Sequence, residues 1–334
     1  MTPGKCSKSL LRCATLATVL AISAFTAVSC VRAVPRLVTE NSPTVDIAQL
    51  WQEPLDLASR DLFHGPGGKA LAPDAATPFT FVSEDSGGYS LGYDVRDPDG
   101  RLWSVKLGPE AQTEVVVSRV LWAIGYHQPP IYYLANWTLV GGQSAPQRGG
   151  RFRPDLPDRQ PVGTWSWYEN EFVSTQPFKG LIVANVLLNN WDWKTSNNRV
   201  YQVEEPGGAR RRVHVVRDLG ASLGRTSLSP LLRPFRIEAF KQGSRNDIDG
   251  FESQGFIEKV TGDRVRFHYH GIHGALLNTL SPRDVVWACE LMSRLSDGQW
   301  NDAFRAAGYS PEESRRYVMK IKRKIAEGLA LPRL

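Results

Sequence analysis

At 334 residues, with 42% hydrophobic and 22% charged side chains, the chain has the composition of an ordinary globular protein, long enough for one large domain or two lobes. A net charge of +6 and an isoelectric point near 9.2 favour anionic partners such as phosphates, nucleotides or anionic headgroups. Nucleic-acid binding is excluded as the main expectation, because the charge is dispersed and no dense basic stripe interleaves with aromatics.

At the N-terminus, Lys5, Lys8 and Arg12 precede an uncharged, Ala-, Leu-, Val- and Thr-rich stretch over 13–31. That order predicts an export signal over 1–33. Ala27-Val28-Ser29-Cys30 resembles a bacterial lipoprotein processing box, which implies Cys30 as the lipidated first residue and membrane association through that anchor. Cleavage after Val31-Arg32-Ala33, giving a periplasmic or secreted protein, is the alternative; an uncleaved anchor is the third. Cys6 and Cys13 fall in the signal, so a lipidated Cys30 leaves Cys289 alone, and its apolar neighbours predict a buried structural thiol.

Residues 34–78, rich in Pro, Gly, Asp and Ala, read as a tether and irregular lead-in. Gly65-Pro66-Gly67-Gly68-Lys69-Ala70 lacks the spacing and the final hydroxyl of a phosphate loop and reads as a turn. Three short strands are predicted over 79–82, 89–96 and 101–107, separated by turns at 83–88 and Asp97-Pro98-Asp99-Gly100. The third alternates Leu102, Ser104 and Lys106 against Trp103, Val105 and Leu107. Gly108-Pro109 opens a helix that ends at Gly125, with Glu110, Glu114 and Ser118 on one face and valines on another.

The Gly-, Pro- and Arg-rich stretch 141–163 reads as a flexible surface loop, and 180–188 as a buried helix. Strands are predicted over 200–203 and 213–216, with Arg210, Arg211 and Arg212 at a solvated hairpin tip. The C-terminal third is helical, with cap-plus-Pro starts at Ser281-Pro282 and Ser310-Pro311. His268, His270 and His273 lack carboxylates at metal spacing and read as ordinary strand and turn.

The chemistry-bearing residues come in a definite order. Lys106 lies on the third strand and Glu114 on the next helix, with Glu110 one turn earlier as a rival. Asp192, Lys194 and Asn197 follow the buried helix, and Asp218-Leu219-Gly220 follows the strand pair. This set resembles the protein-kinase-like superfamily, in its atypical branches: bacterial toxin-type serine kinases, lipid-kinase-like proteins and secretory-pathway kinases. His-Arg before Asp192, a full Gly-x-Gly-x-x-Gly turn and a later Ala-Pro-Glu are all missing, and Leu219 stands for Phe.

The resemblance implies a two-lobed α+β fold, with a small antiparallel-sheet N-lobe over 79–140 and a mainly helical C-lobe over 164–334. It implies Asp192 as the base or orienting group and Lys194 as a cation on the γ-phosphate. Lys106, paired with Glu114, and the turn at Gly87 and Gly88 would bind ATP or another nucleoside triphosphate. Asn197 and Asp218 would hold Mg or Mn. The expected activity is phosphoryl transfer to a hydroxyl acceptor, whether protein, glycan, lipid or small molecule, with nucleotidyl transfer as a variant on the same scaffold. A catalytically silent, pseudokinase-type binding module at the cell surface is the competing reading. Trp165-Ser166-Trp167, among ten Trp, adds a slighter carbohydrate-related one.

Overall fold

The computed structural model describes residues 45–85, 90–141, 145–205, 207–226 and 243–333, all within the compact unit Pro35–Leu334. The predicted signal, Cys30, Gly87 and Gly88 lie outside the described residues.

Strands β1 (Pro78–Asp85), β2 (Gly92–Arg96) and β3 (Leu102–Leu107) form an antiparallel meander. The β2–β3 turn is set by Asp97, whose carboxylate accepts bonds from the Arg101 amide and the Trp103 indole, each at 2.8 Å. Helix α1 (Glu110–Ala123) crosses to β4 (Tyr132–Val140), and β5 (Ala145–Pro154) returns. The sheet order is β1-β2-β3-β5-β4, and a parallel pairing of β1 with β4 closes it into a barrel. The inward residues of the two-residue period, among them Phe79, Val95, Trp103, Val105, Trp137 and Phe152, fill the interior. Ser104 and Lys106 therefore point outward.

The expected small antiparallel sheet is thus a closed barrel with one parallel pairing, and the expected flexible 141–163 loop is also corrected. Much of that loop is strand: β5 pairs with both β3 and β4, and β6 (Arg159–Gly163) begins a second sheet. Gly and Pro dominate the local signal, but pairing partners on both sides outweigh it.

Helix α2 (Gln176–Leu187) starts at Thr175, whose hydroxyl accepts the Phe178 amide, and it is buried nearly all round. Strands β7 (Asn198–Glu204) and β8 (Arg210–Val216) complete the sheet β6-β7-β8. The three arginines therefore belong to a strand rather than a hairpin tip. Arg210 and Arg211 pair across it with Glu204 and Glu205 at 3.2 and 2.7 Å.

The remainder is α3 (Ile248–Ser253), the hairpin β9 (Ile257–Thr261) and β10 (Arg264–Phe267), and α4 (Gly274–Leu277). Three capped helices follow: α5 (Pro282–Ser293), α6 (Asp297–Ala306) and α7 (Pro311–Leu329). Serines 281, 296 and 310 each close a capping box.

A second core joins α1, α2 and the C-terminal helices, and Leu50, Leu57 and Leu62 of the irregular lead-in enter it. From residue 45 onward the lead-in is thus packed and is not a tether. Cys289 is buried here against Gly328, and burial pushes its thiol up to about 12. Among the described residues no helix is long and apolar enough to cross a membrane.

Candidate active site

The outward face of β3 puts Lys106 against the first turns of α1. Its Nζ lies 3.0 Å from Glu114, 3.5 Å from Glu110, and in ion contact with Asp218. Glu110 is drawn elsewhere: Arg245 Nε stands at 2.6 Å and the Ser90 hydroxyl donates to it at 2.9 Å. Glu114 is the more deeply engaged of the two. Arg151 on β5, directly opposite Lys106 in register, reaches it at 3.1 Å, and Arg153 lies 3.8 Å away.

Burial alone would raise the Glu114 pKa, but Arg151, Lys106 and Arg153 outweigh it and hold the carboxyl well below the usual range. Burial lowers the Lys106 pKa, yet Glu114 and Asp218 overcome it, so the net shift is upward. Both groups are charged at neutral pH. The sequence placed Glu110, Glu114 and Ser118 on a polar helix face; the structure buries all three. That face meets chain arriving from residues 218–220 and 245, which local periodicity does not reveal.

Asp218 follows β8 in left-handed backbone, φ +57°, a conformation that Asp tolerates better than most residues. Leu219 next to it is buried in the core. A Cβ on Gly220 would stand 2.5 Å from the Glu110 Cβ, so only glycine fits there. The Thr113 hydroxyl donates to the Gly220 carbonyl at 2.7 Å and straps the Asp-Leu-Gly turn to α1.

The Asp192 loop leaves α2 through Asn189, also left-handed at φ +54°. Buried Lys324 donates to the Leu187 carbonyl and to Asn189 Oδ1 at 2.9 and 2.8 Å, and burial drives its pKa well down. Asn190 donates to Asn185 at 2.8 Å. Tyr269 donates its hydroxyl to the Asn190 carbonyl at 3.0 Å and accepts from the Trp193 indole, gripping the loop on both sides of Asp192.

Lys194 lies 2.8 Å from the Asp192 carboxylate. Asn197 donates Nδ2 to the Asp192 carbonyl at 2.7 Å, which leaves its Oδ1 as the atom a cation would use. The Arg217 amide donates to the Asn197 carbonyl at 3.0 Å, joining this loop to the residue before Asp218.

The structure therefore groups Lys106, Glu114 and Asp218 by ion contact, and Asp192, Lys194 and Asn197 by loop geometry. Gly87 and Gly88 lie outside the described residues. Next to the Lys106 cluster, which it meets through Arg153 and Arg217, opens a cleft of about 390 Å³; Ser104, Tyr201 and Val215 line it together with the carboxylates of Asp85, Asp94 and Asp155. Sequence reading missed Arg151, Arg153, Tyr269 and Lys324. For the arginines a signal existed, since Arg151-Phe152-Arg153 alternates charged and apolar ahead of a proline; for the other two none did. His268, His270 and His273 sit in the segment after β10, and among the described residues no group of three or more His, Cys, Asp or Glu clusters as a metal site would.

No protein-family profile matches the chain, and no curated protein matches it. Solved structures similar to it include the proinflammatory kinase CtkA of Helicobacter pylori, at 12% identity and a TM-score of 0.42, covering 76% of this chain and 95% of that one. Another is the Rio2 kinase–ADP/Mg²⁺–phosphoaspartate complex from Chaetomium thermophilum, at 12% identity and a TM-score of 0.30, covering 74% and 72%. At that distance the functional reading rests on this chain's own geometry.

Proposed function

We propose that this chain is a two-lobed, kinase-like phosphotransferase that moves the γ-phosphoryl group of a nucleoside triphosphate to a hydroxyl acceptor. The observation that carries it is Lys106, which meets a buried helix carboxylate and the Asp218 carboxylate at once, beside a cleft. Lys106 stands among three carboxylates, and the exposed one, Asp218, would free its ammonium for phosphate oxygens on turning to a cation.

The donor set fits Mg²⁺ or Mn²⁺. Asp218 and the Oδ1 of Asn197 are hard oxygen donors, and phosphate oxygens would complete the shell. Bound there, the cation supplies charge neutralisation on the phosphates. The protein does the rest. Lys106 binds the α- and β-phosphates, and Glu114 holds its ammonium in place. The Asp192 carboxylate orients the acceptor hydroxyl and takes its proton as the oxygen attacks phosphorus and the nucleoside diphosphate leaves. Lys194 places positive charge on the transferring group.

Residues 1–33 would export the enzyme, with Cys30 as its lipid anchor; intact-mass analysis of membrane-extracted protein tests that part. The catalytic part is tested by paired binding and turnover assays. Asp192→Ala is expected to retain nucleotide binding while turnover falls by about 10²–10⁴-fold. Lys106→Ala is expected to weaken binding as well. Normal turnover by Asp192→Ala would remove the base assignment.

A further inference from the structure

A second cavity, of about 240 Å³, adjoins the cleft. The two are neighbours on one face of the β6-β7-β8 sheet: Tyr201 and Val215 line the cleft, while Val203 and Val213, two residues along the same strands, line the cavity. Arg159, paired with Val203 in register, borders both.

Among the described residues three arginines line the cavity, Arg60, Arg159 and Arg211, with His127 and no carboxylate. Their carboxylate neighbours stand outside it. Asp56 pairs with Arg60 at 2.9 Å and Glu205 with Arg211 at 2.7 Å, both carboxylates being solvent-exposed, and the two guanidiniums also donate to the Trp122 and Ala48 carbonyls, which carry no net charge. Water screens such pairs, so much of the positive field in the cavity persists. Arg159 is less satisfied still: its Nε is buried without a hydrogen-bond acceptor, and the Asp158 carboxylate is 4.0 Å away. An orphaned buried guanidinium donor costs free energy that an oxyanion would recover. His127 senses the same field. Burial pushes its pKa down to about 4, with Arg211 and Arg159 adding to the shift, although its ring donates to the Ala48 carbonyl at 2.7 Å.

We propose that this cavity binds a tetrahedral oxyanion of the phosphate class, as the free ion or as the end of a small monoester, held by Arg159, Arg211 and Arg60. Because Arg159 also borders the cleft, an occupant fixes one wall of that cleft, which meets the proposed phosphate-binding cluster through Arg153 and Arg217. That coupling rests on the function proposed above; the binding does not.

The test follows the His127 ring signals of the full chain by NMR during titration with inorganic phosphate, at constant ionic strength set by chloride. A saturable shift is expected. Arg211→Gln should weaken it by about tenfold or more, as loss of a charged hydrogen bond does, with Arg60→Gln as a second cavity variant should the first not fold. Arg217→Gln, which alters only the cleft, should leave it unchanged. Phenyl phosphate competing for the same signal would identify a monoester site, and failure to compete would identify a free-ion site. No saturable shift, an equal shift in both cavity variants, or loss of the shift in Arg217→Gln would overturn the proposal. No outcome depends on nucleotide binding or turnover, so the catalytic reading stands or falls separately.

Discussion

Two lysine–carboxylate contacts of nearly equal length define the candidate site, Lys106–Glu114 at 3.0 Å and Lys194–Asp192 at 2.8 Å, and they are different objects. The first is buried among further charges, with Lys106 17% and Glu114 4% exposed, whereas Lys194 is 58% and Asp192 15% exposed. Around Lys106 the protein fixes charge, matching cations to carboxylates where water cannot. Around Asp192 it fixes backbone instead: Tyr269, Lys324 and Asn197 all bond loop carbonyls or the asparagine beside them. The lesson is that distance alone does not rank an ion pair. The dry pair holds its charges in a fixed arrangement, and the wet pair leaves an exposed ammonium that can part from its carboxylate.

The largest effect is expected on the dry side. Glu114→Gln leaves Arg151 and Arg153 without their anion and Lys106 with only Asp218 and Glu110, and removing one partner of a buried pair costs about 3–5 kcal/mol. Denaturant unfolding would measure it; a loss below about 1 kcal/mol would mean that water reaches the cluster and would dissolve the contrast.

The same carboxylate makes a pH prediction. Its folded-state pKa lies below the ordinary 4.5, so its contribution is fully present above that value and is lost as pH falls toward the depressed pKa. Wild-type stability should therefore fall more steeply than that of Glu114→Gln below a pH of about 4.5. Parallel curves would contradict the matched-charge account.

The smallest stability effect belongs to the wet side. Lys194→Ala should change unfolding free energy by less than about 1 kcal/mol, the scale of an exposed pair, while phosphoryl transfer slows. A larger destabilisation would show that Lys194 holds the loop, and its proposed role on the phosphate would go.

How far the sequence disclosed this site follows the same division. Lys106, Glu114, Asp192, Asn197 and Asp218 were suggested by spacing along the chain, and the structure brings Lys106, Glu114 and Asp218 into ion contact. Arg151 and Arg153 left only the short charged and apolar alternation of 151–153, outweighed by a Gly- and Arg-rich context that becomes strand only between β3 and β4. Tyr269 is invisible for the same reason: it lies 79 residues from the carbonyl it holds. Glu110 and Glu114 were correctly put on one helix face, but that face is covered by residues about a hundred positions later. The local pattern marked them as polar without showing that they are buried.

The central claim is that Lys106 and Asp218 form the phosphate end of a nucleotide site. Thermal unfolding of the full chain with ATP and Mn²⁺ or Mg²⁺, beside Asp218→Ala, tests it most directly. Saturating ligand at about a hundred times its dissociation constant stabilises a protein by about 2.7 kcal/mol, so the wild type should melt several degrees higher and the variant should not respond. No shift in the wild type with either metal, or an undiminished shift in Asp218→Ala, would contradict the account.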